Sequence, residues 1–141
     1  MRSLLVVVAL AALVATATAK SEKTVVYGAA KVFPTAVRFL RVDEGVKIVE
    51  KDADAGYVMF ELKDDGKTFA GALELIASEN AGRPAVKLIL RIEDRPSYVE
   101  QAMLERLERK LRAELGSEPP PVNPTPPPAE KKPDRGPAAT K

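Results

Sequence analysis

Proline is distributed so unevenly that it decides which part of this chain can fold. Nine of the twelve prolines lie within residues 117–141, whose sequence is SEPPPVNPTPPPAEKKPDRGPAATK. A segment with so many prolines and so few apolar side chains cannot form a hydrophobic core, so polyproline II or disorder is expected there. We therefore predict a Pro-rich disordered tail over residues 117–141, which serves either as a solvated spacer or as a P-x-x-P ligand.

The beginning of the chain has the pattern of a cleavable signal peptide. Arg2 precedes an apolar run, LLVVVALAALV, which is followed by a possible A-x-A cleavage site at Ala17-Thr18-Ala19. The run has eleven residues, whereas a membrane-spanning helix needs about 20. We therefore predict a signal peptide over residues 1–19, cleavage before Lys20, and export of a soluble protein to the periplasm or the cell exterior, without a membrane span.

The composition argues against several functional classes. The chain has no His and no Cys, so it lacks the commonest metal ligands, the usual general base, any disulfide and any lipidated cysteine. The net charge is +2, and acidic and basic residues alternate along most of the chain, so no nucleic-acid partner is expected. An exported domain without disulfides must be stabilised by its apolar core, which suits a bacterial periplasm. We predict one domain over residues 20–116 and no cofactor.

Residues 20–116 show the periodicity of two helices separated by strands. The first helix is expected over about residues 29–42, because apolar residues recur at helical spacing and Gly45 is placed to end it. Its apolar stripe consists of Phe33, Ala36, Val37 and Leu40. Strands are expected at residues 46–51, 57–63, 67–77 and 85–93, with a weak signal for another at 24–27 and a polar loop at 79–84.

The last helix is expected to begin near Ser97 and to end at Gly116. Ser97 and Glu100 have the spacing of a capping box, in which Ser97 caps the helix and Glu100 reaches back to its start. The apolar stripe of this helix consists of Met103, Leu104, Leu107, Leu111 and Leu115.

These elements predict an α+β fold. Short turns between successive strands, including the compact hairpin signal Asp64-Asp65-Gly66, indicate an antiparallel meander. Two helices with one-sided apolar stripes need a sheet face to cover. We therefore predict a two-layer sandwich in which about four antiparallel strands are flanked by an N-terminal and a C-terminal helix. The alternation over residues 85–93 assigns Val86, Leu88, Leu90 and Ile92 to the core face of the sheet.

One stretch of this order resembles small domains of the bacterial envelope. A helix is followed by a strand that ends in Lys51-Asp52, a turn with Gly56 and the apolar strand GYVMFEL. Over about residues 33–62 this order resembles the helix-grip domains of outer-membrane assembly lipoproteins, although the chain lacks their lipidated Cys. The resemblance implies a non-enzymatic envelope module and no catalytic motif.

No catalytic, cofactor-binding or metal-binding residue is predicted. The spacing Asp52-x-Asp54-x-Gly56 lacks the remaining ligands of a calcium loop and is typical of a hairpin turn. In each of the adjacent pairs Asp43-Glu44 and Asp64-Asp65, both carboxylates are expected to be exposed to the same solvent environment. Acid–base catalysis needs carboxylates in different environments. No His is present to activate a serine.

The candidate site is the sheet face that points away from the predicted core, where apolar and charged side chains lie together. A strip of this kind can bind a peptide, a lipid or another subunit, or it can be a surface without a function. We predict an exported, non-enzymatic binding or scaffolding module. The alternatives are a small hydrolase that uses carboxylates and lysines, and a homodimeric structural protein. The candidate partner-binding residues are Tyr57, Met59, Ile76, Lys87, Ile89 and Arg91.

Overall fold

A computed structural model describes residues 21–122 of the chain. The predicted signal peptide and the part of the predicted tail after Val122 lie outside the described residues. The elements in chain order are β1 (Ser21–Val25), α1 (Ala29–Arg38), a π-helical turn (Phe39–Asp43), β2 (Lys47–Asp52), β3 (Tyr57–Asp64), β4 (Lys67–Asn80), β5 (Arg83–Ile92) and α2 (Ser97–Leu115).

The strands form one antiparallel sheet in the order β1-β5-β4-β3-β2. The predicted α+β class is confirmed, and β2 to β5 form the predicted meander. The sheet has five strands rather than the expected four, because β1 pairs with β5 and the first helix follows a strand instead of beginning the domain.

The extra strand begins three residues before its weak signal at residues 24–27 and ends two residues before the end of that signal. Val26 and Tyr27 suggested a strand that included them, but both lie after β1 and are buried there. Within β1 only Val25 is a strongly apolar residue, and Ser21 is buried through hydrogen bonds rather than through an apolar side chain. A short edge strand of this composition has little hydrophobic periodicity to reveal it.

Both helices contribute to one core against one face of the sheet, which we call the covered face; the opposite face is called the open face. The four predicted core residues of β5 are at most 4% exposed, namely Val86, Leu88, Leu90 and Ile92. In α2 four residues of the predicted stripe are buried, and Leu115 packs against their edge. In α1 the stripe is buried except for Phe33, which is half-buried. No helix within residues 21–122 is both long and apolar enough to cross a membrane.

Two tight turns set the register of the hairpins. Between β3 and β4, Asp65 and Gly66 both have positive φ, as the hairpin signal in the sequence predicted. Between β4 and β5, Ala81 and Gly82 also both have positive φ. The prediction of a polar loop over residues 79–84 was therefore wrong, since a two-residue turn allows β4 to continue to Asn80 and β5 to begin at Arg83.

The predicted capping box at the start of α2 is also wrong. Ser97 is the first helical residue, Pro96 occupies the cap position, and no side chain caps the helix. The Glu100 carboxylate instead accepts hydrogen bonds from the Ser21 hydroxyl at 2.6 Å and from the backbone N–H of Ile92 at 2.7 Å. This buried carboxylate therefore joins β1, β5 and α2, which gives it a better set of partners than the local cap.

The first helix ends in a wider turn than expected. Regular α-helix stops at Arg38, and the π-helical turn extends to Asp43, so the helical segment ends close to the predicted position. Glu44 in turn receives two hydrogen bonds from the Arg106 guanidinium, at 2.6 and 3.0 Å, and Asp43 pairs with Lys110 at 3.2 Å. These ion pairs join the end of the first helical segment to α2.

Candidate binding surface

Strand pairing places all six candidate residues on the open face. Tyr57 is opposite Glu74, and Glu74 is opposite Ile89. Met59, Ala72 and Arg91 form the neighbouring row, and Ile76 is opposite Lys87. Because residues directly opposite each other on antiparallel strands share a face, these side chains form one continuous surface across β3, β4 and β5.

The candidate residues differ in accessibility. Met59 and Ile76 are 44% and 47% exposed, which is unusual for large apolar side chains, whereas Ile89 is only 9% exposed. Tyr57, Met59 and Ile76 line a shallow depression of about 380 Å³, together with Ala72 and others. The structure therefore brings three of the six residues together around a cavity, and it leaves Lys87, Ile89 and Arg91 on the adjoining strand outside that cavity.

The turn between β2 and β3 forms one wall of the depression. Asp52 accepts hydrogen bonds from the backbone N–H groups of Asp54 and Ala55, both at 2.9 Å, so the pattern that resembles a calcium loop is an ordinary Asx turn. Gly56 has a φ of +73°, and a Cβ at this position would lie 2.4 Å from the carbonyl oxygen of Leu75. Only glycine allows the turn to lie this close to β4.

Charged side chains surround the apolar part of the open face. Lys87 pairs with Glu22 on β1 at 3.2 Å, and Lys47 pairs with Glu61 at 3.4 Å. The Tyr57 hydroxyl donates a hydrogen bond to Glu50, and this bond raises the pKa of Tyr57 above its usual value of 10.0, with smaller contributions from burial and from nearby carboxylates. The open face thus combines exposed apolar side chains with charged neighbours, of which Lys87 and Lys47 are paired with carboxylates.

Three of the four adjacent carboxylates form ion pairs with other elements of the fold, namely Asp43, Glu44 and Asp64. Besides the pairs of Asp43 and Glu44 with α2, Asp64 accepts a hydrogen bond at 2.5 Å from Arg95, whose guanidinium lies 5.0 Å from the ring centre of Phe69. Within residues 21–122, no three or more acidic side chains are grouped as a metal site would require.

One functional feature could not be found from the sequence: β4 is longer than its neighbour β3. Pairing between β3 and β4 ends at Tyr57 and Glu74, whereas pairing between β4 and β5 continues to Asn80 and Arg83. Beyond Glu74, the N–H of Leu75 still donates to the carbonyl of Gly56 at 2.7 Å. Residues 76–80 of β4 are paired on their β5 side alone, and we call this stretch the β4 edge.

A cavity lies on each side of the β4 edge. The depression on the open face reaches Leu75 and Ile76. A second cavity of about 290 Å³ lies towards α1 and is lined by Ala29, Phe33, Leu75 and Ala77, among others. The turn from Ala53 to Gly56 separates the two cavities, since Ala55 and Gly56 line both of them.

The first residues of the predicted tail contact the other side of the β4–β5 hairpin. The Arg83 guanidinium donates to the carbonyl of Pro119, and Val122 lies close to Gly82 at the hairpin turn. Nearby, the Tyr27 hydroxyl donates to the carbonyl of Gly116 at 2.6 Å. An apolar cavity of about 410 Å³, lined partly by Tyr27, Pro84 and Pro119, lies beneath this segment.

Comparison with known proteins does not assign a family. No family model matches the chain, and no curated protein matches it. Among solved structures, the crystal structure of Ara h 8.0201 is similar with a TM-score of 0.37 and 13% sequence identity, and the alignment covers 67% of this chain and 97% of that chain. At this level the similarity supports no functional conclusion.

Proposed function

We propose that the protein is an exported, non-enzymatic binding or scaffolding module of the bacterial cell envelope, and that its open face receives the partner. The observation that carries this proposal is the exposure of Met59 and Ile76, at 44% and 47%, around a shallow depression in the middle of the sheet. Exposed apolar side chains with charged neighbours are typical of a protein-binding surface. Export is supported by the signal-peptide pattern of residues 1–19.

The environment of the carboxylates favours binding over the alternative of a small hydrolase. Acid–base catalysis by carboxylates requires two of them in different environments that converge on one cleft. Asp43 and Glu44 are held in ion pairs with α2, and Asp64 is held by Arg95. Glu100 is buried and already accepts two hydrogen bonds, so it serves the fold rather than a substrate.

Site-specific photocrosslinking in a bacterial host would test the proposal. The full chain is expressed with p-benzoylphenylalanine in place of Met59 or Ile76, and in matched controls in place of Tyr98 or Val42, which are 68% and 67% exposed away from the open face. We expect adducts from the periplasmic fraction at Met59 and Ile76 and few at the control positions. An adduct of twice the mass of the chain would identify a homodimer.

The same cells give the test of export. We expect the periplasmic protein to begin at Lys20 when its N-terminus is sequenced. Equal crosslinking at all four positions, or protein that stays in the cytoplasm with residues 1–19 attached, would contradict the proposal.

A further inference from the structure

The two outer edges of the sheet are protected against pairing with other strands. Free sheet edges expose unpaired N–H and C=O groups, and proteins normally protect them with charges, proline, bulges or short strands. The edge strand β2 has a register shift between Ile48 and Glu50 and carries four charged residues in its sequence KIVEKD. The opposite edge strand, β1, has only five residues and includes Glu22 and Lys23.

The free end of β5 is protected as well. Pairing with β1 begins at Val86, so residues 83–85 of β5 have no strand beside them on that side. Pro84 in this stretch has no backbone N–H to offer. The segment after α2 also lies here, where the Arg83 guanidinium donates to the carbonyl of Pro119.

The β4 edge has fewer of these protections, since Glu79 is its one charged residue. Its sequence, IASEN, contains no Lys, no Arg and no Pro, and its pairing with β5 runs without a register shift. All five residues are exposed, and Ala77 and Ser78 are too small to obstruct an approaching backbone. At about 3.4 Å per residue, the edge is roughly 17 Å long.

The direction of the free backbone groups follows from the neighbouring hydrogen bonds. The N–H of Leu75 points away from β5, because it donates to Gly56 beside β3. Backbone groups alternate in direction along a strand, so those of Ala77 and Glu79 also point away from β5. The edge therefore presents the N–H and C=O groups of two residues, in line with the end of β3.

The two cavities flank the position that an added strand would occupy. Successive side chains of a strand point to opposite faces of the sheet. One side chain of an added strand would enter the cavity beside Phe33, and its neighbours would lie beside Ile76 on the open face. Backbone pairing together with pockets for alternate side chains is how proteins bind peptides by strand addition.

We propose that the β4 edge binds, by strand addition, an extended segment of a partner protein about five residues long, with alternating apolar and basic residues. This inference rests on the proposed function in assuming that the protein is a binding module. The apolar residues fit the cavity beside Phe33. The basic residues then point to the open face, where they match Glu74 in the depression, since neither cavity is lined by Lys or Arg.

The charges and the prolines of this chain argue against two other occupants. Two copies of the β4 edge paired with each other would bring Asp54, Glu74 and Glu79 of both copies to one seam, and like charges across strands are destabilising. The segment of residues 117–141 contains nine prolines, and proline cannot donate to a strand ladder.

The test uses the chain without residues 1–19 and a blocked hexapeptide that alternates valine with lysine. We expect hydrogen exchange of the Ala77 and Glu79 amides to slow by about tenfold or more when the peptide is saturating, because these amides become paired. Three control peptides are matched in length: one alternates valine with glutamate, one is N-methylated on every lysine, and one is N-methylated on every valine. We expect the glutamate peptide and one of the two N-methylated peptides to leave the exchange of these amides unchanged, because only alternate N–H groups of an added strand face the edge.

The variant Ala77→Pro tests the edge within the protein. It removes an N–H that points away from β5, so the β4–β5 hydrogen bonds are retained, and we expect at least a tenfold loss of affinity for the lysine peptide. Glu74→Gln provides a second variant that keeps every backbone group and should weaken binding less. If the lysine peptide binds with no protection of Ala77 and Glu79, or does not bind, the strand-addition proposal is wrong.

The crosslinking experiment separates this failure from that of the proposed function. If Met59 forms adducts in cells but the lysine peptide does not protect the β4 edge, the open face binds a partner and the edge does not. Absence of adducts at both Met59 and Ile76, together with protection of the edge by the peptide, would mean that the open face was wrongly assigned and the edge correctly so.

Discussion

The covered face and the open face are built from alternate residues of the same strands, yet their side chains differ in exposure. Along β4, Leu73 and Leu75 are 1% and 6% exposed on the covered face, whereas Ile76 on the open face is 47% exposed. Along β5, Leu88 and Leu90 on the covered face are buried, whereas Arg91 on the open face is exposed. The covered face contains the core residues that stabilise the domain, so packing constrains the residues of the open face less.

The two faces are expected to differ in how much their side chains contribute to the free energy of unfolding. Burying a Leu or Met side chain fully contributes about 1.5–3 kcal/mol relative to leaving it in water. A residue that stays about half exposed contributes much less, and substitutions there usually change stability by under about 0.5 kcal/mol. The two faces should therefore respond differently to the same truncation.

The largest effect is expected for Leu107→Ala on the covered side. Leu107 lies in α2 and is 1% exposed within the core. Truncation leaves a cavity that the surrounding residues fill only in part, so the free energy of unfolding should fall by about 2–5 kcal/mol. Chemical denaturation followed by circular dichroism measures this change.

Met59→Ala on the open face is the matched control for that truncation. It also removes a large apolar side chain, but from a position that is 44% exposed, so we expect a change of under about 0.5 kcal/mol. Equal losses in the two variants would mean that the faces are not energetically distinct. An unchanged midpoint for Leu107→Ala would mean that the register of α2 is wrong.

A smaller loss of stability is expected from replacing a buried polar residue on the covered side. Glu100 is 7% exposed and joins Ser21 to Ile92. Glu100→Ala leaves a hydroxyl and a backbone N–H without their partner, so the free energy of unfolding should fall by about 1–3 kcal/mol. Hydrogen exchange should increase first near Ser21, because this end of β1 loses its hydrogen bond to α2.

Glu105→Ala is the control for this substitution, since Glu105 lies on the exposed side of the same helix. We expect it to change stability by under about 0.5 kcal/mol. If Glu105→Ala and Glu100→Ala are equally mild, the buried hydrogen bonds are not needed to hold β1 in place.

Hydrophobic periodicity predicted the elements that bury many apolar side chains. The alternation in β5 and the stripe of α2 are both confirmed, because each of these elements has one face in the core over its whole length. The tight turn at Asp65 and Gly66 is confirmed for a local reason, since positive φ at both residues suits their sequence.

Features that depend on distant partners could not be predicted in the same way. Glu100 has the spacing of a local cap, but it binds Ser21 and Ile92, which only the tertiary structure brings near it. The open face was predicted from the alternation of residues within single strands, whereas the β4 edge could not be predicted in this way. Its free backbone groups depend on the different lengths of β3 and β4.

The smallest expected effect compares two tyrosines, one on each side of the sheet. The pKa of Tyr57 on the open face is raised above 10.0 chiefly by its hydrogen bond to Glu50. The pKa of Tyr27, which lies in the core, is raised chiefly by burial. Removing one carboxylate should therefore change the titration of Tyr57 and leave that of Tyr27 unchanged.

Glu50→Ala should return the pKa of Tyr57 close to 10.0, and Glu50→Gln should lower it by less because the amide oxygen still accepts a hydrogen bond. Carbon NMR of ring-labelled tyrosine resolves the two titrations. Since the folded-state pKa is raised, the bond to Glu50 stabilises the fold below about pH 10 and loses this contribution as pH rises through that pKa. An unchanged Tyr57 titration in Glu50→Ala would mean that burial perturbs both tyrosines, and the open face would then be less exposed to water than its geometry indicates.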